Sequence, residues 1–158
     1  MIIVTKEFTF DAAHQLMYHD GKCANVHGHT YRLEVALKGN PILTKNVSDE
    51  GFVLDFTHLK TIVKSIIVDK MDHAFLACGN EPILPTLLQT NSKVVRLGFR
   101  TTVENMAQFI CWKLIKLGLP VYYVRMWETP TGSAKVEAAD LEAAGGPKYN
   151  TIGGCDLE

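Results

Sequence analysis

A thiol and two imidazoles stand close together in Cys23-Ala-Asn-Val-His27-Gly-His29. Such a set serves metal binding, proton transfer or both. In a strand, residues two apart point to the same face, so His27 and His29 project side by side. From His29 onward, Tyr31, Leu33, Val35 and Leu37 share that face, while Thr30, Arg32, Glu34 and Lys38 share the other. The two imidazoles therefore begin the apolar face of a strand, where an unpaired imidazole is costly to bury. A bound metal resolves that cost, because histidine is the commonest nitrogen ligand for zinc. Gly28 between them lets other backbone approach closely.

The third ligand decides the case. Met1 to His14 reads as another strand, with Val4, Phe8, Phe10, Ala12 and His14 on one face. His14 ends an apolar face just as His29 begins one. Antiparallel pairing of the two strands, with Gln15 to Val26 as a long hairpin loop, makes three imidazoles converge. The alternative is a hydrogen-bonded core histidine at His14 and a turn at His27-Gly28-His29.

These residues must be positioned by a single domain, since 158 residues, 47% of them hydrophobic, suffice for one real core but not two. A net charge of -1 argues against a broad nucleic-acid-binding face. No apolar run approaches the roughly 20 residues that span a bilayer. The chain opens on a charged β-like segment rather than a signal or transit sequence. Cys23, Cys78, Cys111 and Cys155 are scattered without a CxxC pair, which fits free thiols in a reducing cytoplasm.

After the second strand, Gly39-Asn40-Pro41 is a turn. Asp55 then caps a helix carrying Phe56, Leu59, Ile62, Val63, Ile66 and Ile67 at helical spacing to about Lys70. Pro82 and Pro85 exclude a long helix between Cys78 and Arg100, and Lys93 to Leu97 reads as a short strand. Thr101 and Glu104 form a capping box for a second helix, which Gly118 stops. Val121 to Thr129 is a third strand, its apolar face ending in Glu128, and Ser133 to Ala139 a fourth. The expected domain is residues 1–141. The Gly/Ala-rich tail, 142–158, with Gly145-Gly146-Pro147 and Gly153-Gly154, has little to bury. The order β-β-α-α-β-β predicts an α+β fold, two helices covering one face of an antiparallel sheet. Four strands leave two open edges, and edge-to-edge association into a ring would cover them.

Several motifs in this order resemble the 6-pyruvoyl-tetrahydropterin synthase and 6-carboxytetrahydropterin synthase family. They are Phe10-Asp-Ala-Ala-His14, Cys23-x3-His27-Gly-His29, Leu54-Asp-Phe56, Met71-Asp-His73, Thr102-x-Glu-Asn105 and Trp127-Glu-Thr129, covering about residues 3 to 139. The resemblance implies the tunnelling fold, with sheets joined into rings and two trimeric rings stacked as a homohexamer whose active sites lie at subunit contacts. By position, His14, His27 and His29 match zinc ligands, and Cys23 matches the thiol that takes a proton from the substrate side chain. A structural site with Cys23 as fourth ligand is the alternative. Asp72 and His73 match an acid–base pair. Glu128 matches the carboxylate that grips the guanidine-like edge of a pterin, where two parallel N–H donors face one carboxylate. Thr102 helps frame that pocket. Glu104 stands beside it, mainly as a cap.

The implied activity is that of a zinc-dependent lyase. It converts 7,8-dihydroneopterin triphosphate to 6-carboxy-5,6,7,8-tetrahydropterin, acetaldehyde and triphosphate, on the route to queuosine and related deazapurines. The three-residue gap between Cys23 and His27 is typical of the carboxy-forming branch. The rivals are a pyruvoyl-forming synthase and a zinc-stabilised module that binds a pterin or purine without turnover. A zinc hydrolase is disfavoured because HExxH is absent. Lys22, Arg32 and Arg125 are candidates for the triphosphate. Three features depart from the family pattern: Thr101 in place of a common proline, the long 78–100 segment, and the extended tail.

Overall fold

Alternating apolar and polar residues build the two longest strands, β1 (Ile2–His14) and β2 (His27–Gly39). The computed structural model describes residues 1–79, 81–152 and 155–157, so Gly153-Gly154 of the expected tail lie outside the described residues. β1 and β2 pair antiparallel in unbroken register, from Ile2 opposite Gly39 to His14 opposite His27. Phe8, Phe10, Ala12 and His14 face the core from β1, and Tyr31, Leu33, Val35 and Leu37 from β2. The connecting loop carries one tight 3-10 turn, Lys22–Ala24.

The Asp55 carboxylate accepts the Thr57 N–H at 2.5 Å and so caps α1 (Phe56–Val63). The helix continues through a π-helical turn (Lys64–Val68) into α2 (Asp69–Met71), one residue beyond the expected Lys70. Leu59, Val63, Ile67 and Met71 form its buried stripe. There follow β3 (Ala74–Ala77), α3 (Leu84–Gln89), β4 (Val94–Arg96), α4 (Val103–Lys116), β5 (Val121–Trp127), β6 (Ser133–Glu137) and α5 (Ala138–Ala143). Met106, Ile110 and Leu114 of α4 meet Val124 and Met126 of β5 in the same core.

The expectation of four antiparallel strands needs correction. The sheet has six strands in the order β4-β3-β1-β2-β5-β6, with β3 parallel to β1 and β4 parallel to β3. The chain reaches β3 by crossing over through α1, as parallel neighbours require. β3 escapes a reading by alternation because Ala74, Phe75, Leu76 and Ala77 are all buried. A strand covered on both faces is a short apolar run, and periodicity cannot separate it from a helix end.

Two further expectations change. Thr102 rather than Thr101 caps α4, accepting the Asn105 N–H at 3.4 Å, so the Thr101–Glu104 box does not form. Thr101 is buried and turned toward His14 instead. The tail is not loosely held among its described residues, and α5 straddles the 141/142 boundary. Leu141 and Leu157 are buried, and Arg96 exchanges two hydrogen bonds with Asp156: its N–H donates to the Asp156 carboxylate at 2.9 Å and its carbonyl accepts the Asp156 N–H at 2.7 Å. The tail thereby pairs the outer edge of β4, leaving β6 as the other edge. Among the described residues no helix is long and apolar enough to cross a membrane.

Candidate metal centre and active site

The register of one hairpin brings three imidazoles together. His14 closes β1 directly opposite His27, and His29, opposite Ala12, stands on the same face. A Cβ on Gly28 would sit 3.3 Å from the Ala12 carbonyl oxygen, so the missing side chain does permit a close backbone approach. The ligand nitrogens of His14, His27 and His29 all lie within 4.8 Å of one another. His14 Nδ1 faces the Thr101 carbonyl at 3.0 Å, and His27 Nδ1 faces the Asn25 carbonyl at 2.7 Å. A carbonyl only accepts, so both Nδ1 atoms carry a proton, and in the neutral imidazoles both Nε2 atoms then present lone pairs. Those two Nε2 atoms are 3.1 Å apart.

Two bare lone pairs at that distance repel, and a shared cation reconciles them. Zinc–nitrogen bonds of about 2.0–2.1 Å in a tetrahedral site separate nitrogens by about 3.4 Å, close to the spacing seen. His29 Nε2 is buried without a hydrogen-bond partner among the described residues, which suits a metal-ligand atom. Burial pushes the His14 imidazole down to about 4, and the same cause lowers His29, so both are neutral ligands at pH 7. The chemistry of the donor set fits a zinc-type ion that keeps its Lewis acidity.

Glu128 follows β5 and reaches the same place. Its Oε1 lies 3.6 Å from His14 Nε2 and 3.8 Å from His29 Nε2. Burial raises this carboxyl above the ordinary range; His27 opposes the rise and the charge of Glu104 adds to it. Thr102 and Glu104 sit at the start of α4, next to Thr101, which holds His14. The sequence reading did not single out Tyr31. It is fully buried, its ring centroid 5.5 Å from that of His29, and its hydroxyl has no partner. The signal was present as a phenol at a core position two residues after a ligand-type histidine.

Cys23 lies in the Lys22–Ala24 turn, half-buried and free. Leu16 N–H donates to the Cys23 carbonyl at 2.9 Å and the Gln15 amide to the Ala24 carbonyl at 2.8 Å, tying the loop to the end of β1. The thiol is not one of the convergent donor atoms, which are the three imidazoles alone.

Asp72 and His73 form a second cluster, at the turn between α2 and β3. His73 Nδ1 is 3.0 Å from Asp72 Oδ1, and the same oxygen accepts the Asp11 N–H at 3.0 Å. The Asp11 N–H first, then His73, holds the Asp72 carboxyl below the usual range, with Lys93 adding to the effect. Asp11 and Thr30 are cross-strand partners joined by a 2.5 Å hydrogen bond on the sheet face opposite the imidazole cluster, the face on which Leu84 and Leu87 of α3 pack beside Ala13. A groove of about 700 Å³ carries His73, Lys93, Asp11 and Thr30 on its walls and touches Val26 and His29. Arg32 and Arg125 stack on Trp127, at 3.7 Å and 5.2 Å from its ring, on the same polar face of the sheet as Thr30.

A curled mixed sheet with α1, α2, α4 and α5 on one face and the short α3 on the other, against the expectation of helices on one face only, and an imidazole cluster where its central hairpin closes, defines an α+β protein of the tunnelling type. Solved structures share it. A 6-pyruvoyl tetrahydropterin synthase of Caenorhabditis elegans superposes with a TM-score of 0.60 at 28% identity, covering 87% of this chain and 96% of the other. An uncharacterized protein of Wolinella succinogenes gives a TM-score of 0.65 at 23% identity, covering 86% and 97%. Residues 3–139 match the family described as 6-pyruvoyl tetrahydropterin synthase, and the chain belongs to that family. Among curated relatives, the 6-carboxy-5,6,7,8-tetrahydropterin synthase of Haemophilus influenzae is 47% identical over 136 residues, covering 83% of this chain and 95% of the relative. The 6-pyruvoyl tetrahydrobiopterin synthase of Dictyostelium discoideum is 34% identical over 141 residues, covering 81% and 90%.

Proposed function

We propose that this chain is a zinc-dependent 6-carboxy-5,6,7,8-tetrahydropterin synthase. The reaction converts 7,8-dihydroneopterin triphosphate and one water to the carboxy-pterin, acetaldehyde and triphosphate, and serves the route to queuosine and related deazapurines. The convergence of two unprotonated Nε2 atoms and an unpartnered third imidazole carries the reading. His14, His27 and His29 hold the zinc, which when bound supplies Lewis acidity toward hydroxyl oxygens of the substrate side chain. Cys23 Sγ takes the proton released from that side chain, and its turn sets which carbon it reaches. His73 returns protons, held in orientation by the Asp72 carboxylate at Nδ1. Glu128 accepts two parallel N–H groups from the pterin edge, with Thr102 and Glu104 framing the pocket.

Within one chain His73 is 77% exposed, and a single groove carries both His73 and His29. An open, exposed groove of this kind is suited to closure by a second subunit, as in a homohexamer with active sites at subunit contacts. Four scattered cysteines without a CxxC pair support a reducing cytoplasm. The pyruvoyl-forming reading is favoured by the Dictyostelium relative, and the short Cys23–His27 gap favours the carboxy product. Incubation of the zinc-loaded protein with dihydroneopterin triphosphate, with mass spectrometry of the pterin and trapping of the aldehyde, tests the choice. Carboxy-pterin and acetaldehyde in equal amounts are expected. A pyruvoyl-pterin without acetaldehyde would overturn the product assignment, and intact substrate would overturn the enzyme.

A further inference from the structure

The 78–100 segment departs from the family pattern, and the structure brings one of its side chains to the Asp72–His73 turn. Lys93 Nζ donates to the carbonyl of Asp69 at 2.9 Å and to that of Asp72 at 2.7 Å. These carbonyls belong to the end of the helical run that closes at Met71, where backbone acceptors lack partners and a cation is favoured. We propose that Lys93 is a positioning residue for the Asp72–His73 pair. The proposal rests on the catalytic reading of that pair.

The turn needs holding. His73 has φ +57, a left-handed conformation that a residue with a Cβ disfavours. Its N–H donates to the Asp11 carbonyl at 2.6 Å, and the Asp72 carboxylate accepts the Asp11 N–H at 3.0 Å, so β1 grips the turn on one side. Lys93 grips it on the other. Its own carbonyl accepts the Phe75 N–H at 2.9 Å, which fixes Lys93 to the first rungs of β3. The imidazole of His73 is mostly exposed; Asp72 pairs with it at 3.0 Å, and the Asp11 carboxylate lies within 4.8 Å of both. The ring's direction therefore follows from the backbone turn, and a group that holds the Asp72 carbonyl aims the imidazole. A lysine that merely anchored β4 would have no need to reach both carbonyls at the helix end.

The test compares Lys93→Met and Lys93→Arg with the full-length wild type by site-resolved amide hydrogen exchange and by kcat and KM. In Lys93→Met the amides of His73 and Asp11 are expected to exchange about tenfold faster or more, with core amides such as Leu33 unchanged, because only a local opening is made easier. kcat is expected to fall roughly 10-fold or more at a nearly constant KM, with partial recovery in Lys93→Arg, as for lost orientation of a proton-transfer group. Uniformly faster exchange at all amides, or unchanged exchange at His73 and Asp11, overturns the proposal. If the turn loosens but kcat holds, Lys93 is structural and the proposal also fails. A wild type without turnover would sink the functional reading, and the positioning proposal with it. In that event local loosening in Lys93→Met would still establish the clamp on the turn as a structural feature.

Discussion

The imidazole cluster and the Asp72–His73 turn are built in opposite ways. His14, His27 and His29 come from two paired strands, and a single register fixes all three on one buried face. Shifting that register by one residue would send every core side chain of the hairpin to solvent, so the same burial that stabilises the hairpin aligns the ligands. The Asp72–His73 turn has no such economy. It is exposed, passes through a left-handed residue, and is held by groups from β1 and from the 78–100 segment. A site that binds a metal gains from a rigid, buried frame, whereas a group that carries protons to substrate must stay accessible. The two regions should therefore fail differently when altered.

The largest effect should come from the frame. Replacing His14, His27 or His29 with Ala is expected to cost more metal affinity than the roughly 10–100-fold lost with an outer partner. Turnover should fall to background with it, as metal analysis and assay of the same preparation would reveal. The turn comes next: Asp72→Asn should lower kcat by about 10²–10⁴-fold, the range of general acid–base catalysis, with metal content unchanged. Metal loss in that variant would erase the distinction between the regions. Glu128→Gln probes the boundary between them. An amide must turn one donor toward the ligand, so pterin affinity should drop by about 1.5–3 kcal/mol, measured by titration calorimetry, while the melting temperature holds. Unchanged affinity would mean that Glu128 faces only the imidazoles.

The smallest effect lies outside both regions. Glu81 is buried, one oxygen accepting the Cys78 N–H at 3.1 Å and the other without a partner. Burial raises its carboxyl from 4.5 to about 7. The folded state then holds the proton more tightly than the unfolded one. Its stabilising effect is full below pH 4.5 and is lost as the pH rises toward 7. Glu81→Gln should flatten that decline, raising stability at pH 8 by on the order of 2 kcal/mol and changing little at pH 4. Thermal melts at the two pH values would check it, and metal content should not move.

The same contrast decides what could be read from the sequence. Strict alternation made β1, β2 and the convergence of the imidazoles legible, and Asp55 and Gly118 marked the helix ends. β3 was illegible because a strand buried on both faces does not alternate. Its two parallel pairings depend on a crossover that local pattern does not encode. Thr101 looks like a cap in isolation, but its carbonyl is committed to His14, a contact 87 positions away in sequence. Lys93 read only as the first residue of a short strand, and only tertiary structure brings it to Asp72. Glycine and alanine made the tail look loose, although Leu157 gives it an apolar anchor and Asp156 pairs with Arg96.

The central claim is that three imidazoles, and not the thiol, hold a catalytic metal. Zinc content and turnover of the wild type and of Cys23→Ala, measured side by side after zinc loading and removal of excess metal, test it most directly. About one zinc per chain is expected in both proteins, with turnover lost in Cys23→Ala, as for three protein ligands that leave a fourth position open. Zinc lost together with turnover in Cys23→Ala would put the thiol in the ligand set and contradict the account.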